Sequence, residues 1–287
     1  MINEVQDLAH FSNLVKQTKA RIKSLKTNCY LFPQEITKYC EQHRLFFEEN
    51  VQGLLFLRER PECYSFYFYL SLNQEGNEPF EAFSLTKPLV LDLTFTEPDT
   101  LSPIAEIRHF WQTKGFSFYK RYQQMSQNIA DPERKLKACQ RFEKQKDRFN
   151  VKFSQAADAP RILELWKSSL DELSTALPEL DELELILNAH QVLACHDNSG
   201  QIIAALQIFP YGKIAAIDHV VVDRAYRNLG LGTVLLNGAI ALQNEFQKFV
   251  LWVDVNNFPA KTLYEKQDYL LTGKISDQLL YSKQREQ

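Results

Sequence analysis

Val220-Val-Val-Asp-Arg-Ala-Tyr-Arg227-Asn-Leu-Gly230-Leu-Gly232 runs from an apolar strand through a short arm into an apolar, helix-forming stretch. Two glycines in that arm let the backbone approach a ligand with no Cβ in the way. The free N–H groups of a helix start, with the positive end of its dipole, suit a phosphate. Arg227 would add a charge-assisted bond to the same anion. A tight strand-to-helix connection without a ligand explains the glycines equally well. Two nucleotide-binding patterns fit less well. A dinucleotide fingerprint needs G-x-G-x-x-G directly after the strand and an acid about 20 residues further on. Asp254 is suitably placed, but Leu235 stands where the third glycine belongs, and too little chain remains beyond Asp254 to complete such a sheet. A P-loop is excluded because no Gly-Lys-Ser/Thr follows.

Reading outward, Ile214–Val222 is a strand and about Gly230 to Gln247 a helix, with Leu231, Leu235, Ala239, Leu242 and Phe246 on one face. Phe249–Val255, FVLWVDV, is almost continuously apolar, as befits a strand buried on both faces. A helix over Pro259–Lys266 and a strand around Leu279–Tyr281 follow. Upstream, Val151–Phe153 reads as a strand and Ala157–Leu170 as a helix. Gln191–Cys195 and Ile202–Phe209 read as strands joined by the turn Asp197-Asn-Ser-Gly200.

The N-terminal half repeats this order. Leu45–Phe56 parallels Leu193–Ala204, Leu89–Phe95 (LVLDLTF) parallels FVLWVDV, and Ile104–Gly115 parallels the last helix. The first copy is shorter between its third and fourth long strands, where the second has its Gly-rich turn and long helix. Recurrence of a common strand–turn–strand pattern is the competing explanation. Asp131–Arg148 is densely charged, nearly lacks large apolar residues, and reads as an exposed helical or extended connector. The expected domains are therefore 1–130, a linker 131–149, and 150–287.

The chain has 287 residues, 45% hydrophobic and 24% charged, with a net charge of −3. These are globular values, and no positive excess is present to hold a nucleic-acid backbone. No apolar run approaches the length of a membrane span. The start, MINEVQDLAHFSNLV, lacks the features of a signal peptide, so a cytoplasmic protein is expected. Five cysteines without a C-x-x-C and six histidines without H-E-x-x-H leave neither a metal site nor a disulfide framework as the expectation.

Arg227-Asn-Leu-Gly230-Leu-Gly232 resembles the acyl-CoA motif of the GNAT superfamily of N-acetyltransferases, Arg/Gln-x-x-Gly-x-Gly/Ala. Asn257-Phe-Pro-Ala260-Lys-Thr-Leu263-Tyr264-Glu-Lys-Gln-Asp268-Tyr269 is similar to a second segment of that family, Asn-x-x-Ala-x-x-Leu-Tyr-x-x-x-Gly-Phe. Asp268 and Tyr269 depart from its Gly and Phe, which puts the geometry of the helix end in question. The resemblance covers about residues 151–287. It implies the GNAT fold, an α+β (mixed α/β) architecture with a mixed sheet flanked by helices, here in two tandem copies of which the first is degenerate.

The resemblance also implies roles. The backbone of Val220, Val221 and Val222 would pair with the pantetheine arm of acetyl-CoA, one N–H, that of Val222, polarising the thioester carbonyl. Arg227, Asn228, Leu229, Gly230, Leu231 and Gly232 would hold the pyrophosphate. Asn257 would contact the arm, and Tyr264 would protonate the departing thiolate during direct attack by an amine. Where many members have a Glu base this chain has Ala216; Asp218, on the same face of the strand, is the substitute, with a routine strand-edge aspartate as the alternative. His219 is expected on the opposite face.

The resulting expectation is a transfer from acetyl-CoA to a primary amine of a small molecule or peptide, with no metal, nucleic-acid or membrane partner. A non-catalytic acyl-CoA-binding protein is the alternative, and a tRNA-dependent aminoacyl transferase of the same fold ranks last. Asp171, Glu172, Glu179, Asp181, Glu182 and Glu184 point to a cationic acceptor; a solvated acidic helix face explains them as well.

Overall fold

The computed structural model describes residues 2–72, 86–96 and 103–282. The chain divides into two compact units, Met1–Arg121 with Ile275–Gln287, and Tyr122–Lys274.

In the first unit the order is β1 (Asn3–Glu4), α1 (Leu8–Arg21), β2 (Lys26–Thr27), α2 (Pro33–Glu41), β3 (Leu45–Glu49), β4 (Gly53–Glu59), β5 (Tyr64–Leu70), β6 (Leu89–Thr96) and α3 (Pro103–Thr113). The strands lie side by side as β1-β3-β4-β5-β6, with β2 also on β5. All pairs are antiparallel except β5–β6, which are parallel from Tyr64↔Leu89 to Phe66↔Leu91. Alternation along β4 feeds two cores. Leu54 and Phe56 pack with Phe11, Leu14, Ile36 and Tyr39 of α1 and α2, while Leu55 and Leu57 pack with Phe66, Phe68, Ile107 and Trp111.

β7 (Ser117–Asn128) carries the chain into the second unit, which continues with α4 (Pro132–Glu143), β8 (Val151–Phe153), α5 (Ala159–Lys167), α6 (Leu180–Asn188), β9 (Val192–His196), β10 (Ile202–Tyr211), β11 (Ile214–Val222), α7 (Leu231–Leu242), β12 (Lys248–Asp254), α8 (Phe258–Lys266) and the start of β13 (Leu270–Tyr281), whose residues from Ile275 on belong to the first unit. Here the order is β7-β12-β11-β10-β9-β8. β9–β10 and β10–β11 are antiparallel and β11–β12 parallel, the same three relations that join β3, β4, β5 and β6. One face of this sheet is covered by α4, α7 and α8, the other by α5 and α6. Leu206, Ile208, Ala215 and Ile217 belong to the first core, and Ala205 and Val221 to the second, with Ile162, Leu165, Trp166 and Leu187.

Residues 131–149 are not a bare connector. Asp131 caps α4 by accepting from the Glu133 N–H, and Ala138 and Phe142, four residues apart, are buried. That narrow stripe escapes a composition count because every other face of the helix is charged. Gly238 lets α4 approach α7: a Cβ there would lie 2.9 Å from the Phe142 ring. Two other expectations shift. The long helix stops at Leu242, and the last strand begins nine residues earlier than expected, at Leu270. Among the described residues no helix is long and apolar enough to cross a membrane.

Candidate active site

β11 and β12 pair from Ile214↔Lys248 to Ile217↔Leu251, and the ladder ends there. Beyond it each strand follows its other neighbour. β11 stays on β10 as far as Val222↔Ala204, and β12 stays on β7 as far as Asp254↔Tyr122. Among the described residues, the facing edges of Asp218–Val222 and Trp252–Asp254 therefore have no ladder partner. Two diverging edges with unpaired N–H and C=O groups can take a third extended chain between them.

Asp218, the first residue past the last rung, is opposite Gln207 in the β10 register, so the two side chains share a face. It is half-buried, and desolvation alone pushes its carboxyl up to about 6. Immediately after it the β10–β11 register slips between Ala205 and Gln207, and His219 takes a left-handed φ of 51°. A β-bulge of this kind puts two residues opposite one and re-aims the side chains beyond it. The expectation that His219 points away from Asp218 is therefore corrected. Its Nδ1 lies 2.8 Å from Gln207 Oε1, and its ring packs 4.7 Å from that of Trp166 on α5. Both Asp218 and His219 lie on the α5–α6 side of the sheet. Burial holds the imidazole down at about 4. The phase change shows in the core as well: Ile217, Val220 and Val222 face α7, while Val221 faces α5.

After Val222, Asp223 accepts from the Ala225 N–H and pairs with Arg161 at 3.1 Å, which fixes the start of the arm. Asn228 and Gly230 both have positive φ, 64° and 90°. Gly230 caps α7, whose first internal bond runs from Val234 N–H to Gly230 C=O. The N–H groups of the preceding turn have no acceptor within the helix, and the segment Arg227–Gly230 is exposed. Arg227 is anchored by its Nε to the Val222 carbonyl at 3.3 Å. Gly232 packs against α8, where a Cβ would come within 2.8 Å of Leu263 Cδ2.

β12 ends at Asp254, and Asn257 caps α8 by accepting from the Ala260 N–H. Tyr264, on α8, is 6% exposed. Burial, and then the nearby charge of Asp218, hold its phenol well above the usual range. The helix closes on Asp268 with φ 63°: its N–H bonds Glu265 C=O, and the Tyr269 N–H reaches back to Tyr264 C=O. The departure from glycine thus leaves the left-handed C-terminal geometry intact, with Lys137 3.3 Å from the Asp268 carboxylate. Tyr269 is buried, and among the described residues its hydroxyl has no partner.

Residues 159–269 match the Acetyltransferase (GNAT) family. That segment, within the second unit, is similar to the GNAT acetyltransferases. Over 94 residues it is 30% identical to the uncharacterized N-acetyltransferase YitH of Bacillus subtilis (strain 168). That stretch is 33% of this chain and 32% of the relative, so the match spans about a third of the curated protein. Among solved structures, a GCN5-related glucosamine N-acetyltransferase region of a fungal multi-domain β-N-acetylglucosaminidase superposes with a TM-score of 0.60 at 11% identity, over 97% of this chain and 38% of that one. A Drosophila protein gives 0.55 at 13% identity, over 97% and 99%. A GNAT-family acetyltransferase from Colwellia psychrerythraea gives 0.53 at 10%, over 98% and 100%. These likenesses show the fold.

The GNAT match contains every residue singled out from the sequence: Asp218, Val220–Val222, Arg227–Gly232, Asn257 and Tyr264. The GNAT family uses acyl-CoA as co-substrate and transfers to amines. Gln207, His219 and Trp166 gave no such signal, because no short-range pattern marks a bulge inside an apolar strand.

Proposed function

We propose that the second unit transfers an acetyl group from acetyl-CoA to a primary amine by direct attack. The observation that carries this reading is the unpaired gap past Ile217↔Leu251, flanked by Asp218 and Tyr264. The pantetheine arm would lie along Val220–Val222 as an added strand, with a backbone N–H, that of Val222, donating to the thioester oxygen as charge develops there. The N–H groups of Asn228–Gly232 and the Arg227 guanidinium would take the pyrophosphate, and Asn257, beside the end of β12, would contact the arm.

The amine nitrogen attacks the thioester carbon, the C–S bond breaks, and an amide and CoA thiol result. Asp218, pushed up to about 6, is largely ionised at neutral pH yet basic enough to take the proton from the attacking ammonium centre, directly or through water. Tyr264 is protonated at neutral pH and gives its proton to the leaving sulfur as the C–S bond breaks. In water a phenol (pKa about 10) is a weaker acid than a thiol (about 8.5). In a dry gap the nascent thiolate is a stronger base, which makes the transfer useful as the bond breaks.

The acceptor is proposed as a small-molecule or peptide amine, cationic beyond the reacting nitrogen because of the acidic run. In the structure Asp181 and Glu182 occupy the first turn of α6, where the helix dipole favours them on its own account. Release of CoA thiol from acetyl-CoA with a panel of polyamines, aminoglycosides, amino acids and peptides tests the reading. Turnover with any member supports transfer. Tight acetyl-CoA binding with no thiol release across the panel would favour the non-catalytic acyl-CoA binder instead.

A further inference from the structure

Among the described residues, His219 is the one position inside β11 with a left-handed φ. A non-glycine residue at φ 51° within a strand is strained, and such strain persists only where its surroundings over-determine it. His219 is over-determined on three sides. Nδ1 lies 2.8 Å from the Gln207 side-chain amide, the backbone of Ala176 interacts with the ring, and the ring packs at a tilt 4.7 Å from that of Trp166. Trp166 is fully buried and on α5, Ala176 belongs to the α5–α6 connection, and Gln207 is buried on β10. Three separate segments therefore hold one imidazole.

What they hold is the phase of the strand. With unbroken alternation, residues 217, 219 and 221 would share a face; instead Val220 and Val222 join Ile217 on the α7 side and Val221 turns to α5. The bulge lies between Asp218 and the segment Val220–Val222. It therefore sets how the carboxylate is aimed relative to the unpaired backbone edge across one residue.

We propose that His219 is a positioning residue, locking the left-handed bulge so that the Asp218 carboxylate and the backbone N–H groups of Val220–Val222 address the same bound thioester. This rests on the function proposed above. The imidazole works as a neutral clamp. Its low pKa keeps it uncharged over the working pH range, so it neither supplies nor takes the catalytic proton.

The test uses the full chain with His219→Gly, His219→Asn and Gln207→Leu. Glycine accepts φ 51° without strain, so His219→Gly removes the clamp while keeping the fold. Asparagine tolerates the same φ and keeps a polar tip. Gln207→Leu conserves volume and removes only the partner of Nδ1. For His219→Gly the expected result is a kcat lower by roughly tenfold to a hundredfold, with KM for acetyl-CoA changed less than about twofold. Partial recovery is expected in His219→Asn, and a smaller loss of the same kind in Gln207→Leu. A second readout needs no acceptor: amide NMR shifts on adding acetyl-CoA. In the wild type they should appear at both Val220–Val222 and Asn228–Gly232; in His219→Gly the first set should collapse and the second remain. A wild-type kcat, or unchanged shifts at Val220–Val222, in the folded glycine variant overturns the inference. Wild-type shifts confined to Asn228–Gly232 also overturn it and leave cofactor binding standing. Shifts at neither place overturn the functional proposal with it.

Discussion

Ile217 and Leu251 form the last rung between two parallel strands, and Asp218 is the first residue beyond that rung. A carboxylate there has left the ladder but not the dry interior of the sheet. Its raised pKa and its proximity to the Tyr264 phenol both follow from that one position.

The rate of acetyl transfer should accordingly fall on acidification through about pH 6, as Asp218 takes up a proton, and Asp218→Asn should remove both that limb and most of the activity. The sign for stability is opposite. A carboxyl raised from 3.8 to about 6 on folding favours the fold only while protonated, below the unfolded pKa, and that contribution is lost as pH rises through 6. Asp218→Asn should therefore melt higher than wild type at pH 7.5, with about 3 kcal/mol as the upper bound, and the difference should vanish near pH 3.5. An unchanged melting temperature at pH 7.5 would show that the carboxylate is solvated.

Two neighbouring tyrosines should respond in opposite ways. The rings of Tyr264 and Tyr269 are 5.9 Å apart. Tyr264→Phe should lower kcat by roughly a hundredfold or more with little change in stability. Tyr269→Phe should leave kcat alone and raise stability by about 1 kcal/mol, since it deletes a buried hydroxyl without a partner among the described residues. Steady-state kinetics and thermal melts on the pair separate the roles; equal kinetics in both variants would reduce Tyr264 to packing.

Asp268→Gly should also be stabilising, by about 1 kcal/mol, or roughly 2–4 °C for a unit of this size. Glycine relieves the left-handed φ of 63°, and only solvent-facing pairs with Lys137 and Arg141 are lost. Asp268→Ala should do the reverse. A higher melting temperature for alanine than for glycine would mean that the turn is not under conformational constraint.

The first unit repeats the parallel pair but fills its gap from within. Past Phe66↔Leu91, the Asn28 amide donates to the carbonyls of Phe66 and Asp92 and accepts from the Phe68 N–H, and β2 pairs with β5 at Thr27↔Tyr69. The chain's own segment occupies the edge that is open in the second unit. Most of the β5–β6 connection, where no Gly-rich turn is expected between Ser71 and Leu89, lies at 73–85, outside the described residues. Asn28→Ala should lower stability by about 1–3 kcal/mol and leave acetyl-CoA binding unchanged. Weakened cofactor binding in a fully folded Asn28→Ala protein would contradict this assignment.

The succession of strands and helices along the chain, the Gly-rich turn and both motif segments were legible in the sequence because each depends on local chemistry. Glycines mark left-handed backbone at Gly230, and continuous apolar runs mark the strands buried on both faces. The resemblance implied that the backbone of Val220–Val222 is open to a cofactor arm, but the end of the β11–β12 ladder at Ile217↔Leu251 depends on which neighbour each strand follows, and no residue in either strand encodes that. The bulge at His219 was invisible for the same reason, and strict alternation then put its side chain on the wrong face. The packed face of α4 and the helix α6 escape a sequence reading because each buries only two residues four apart, Ala138 with Phe142 and Leu183 with Leu187, amid charges.

Titration calorimetry of acetyl-CoA into the wild type, Gly232→Asp and Arg227→Glu tests the central claim most directly. Gly232→Asp places bulk and negative charge at the α7 N-terminus and asks only the flexible end of Leu263 to move, and Arg227→Glu reverses an exposed charge, so both variants should stay folded by thermal melt. The account expects one acetyl-CoA per wild-type chain, binding abolished in Gly232→Asp, and binding weakened at least about tenfold in Arg227→Glu. Two sites per chain, or wild-type affinity in a folded Gly232→Asp protein, would contradict it.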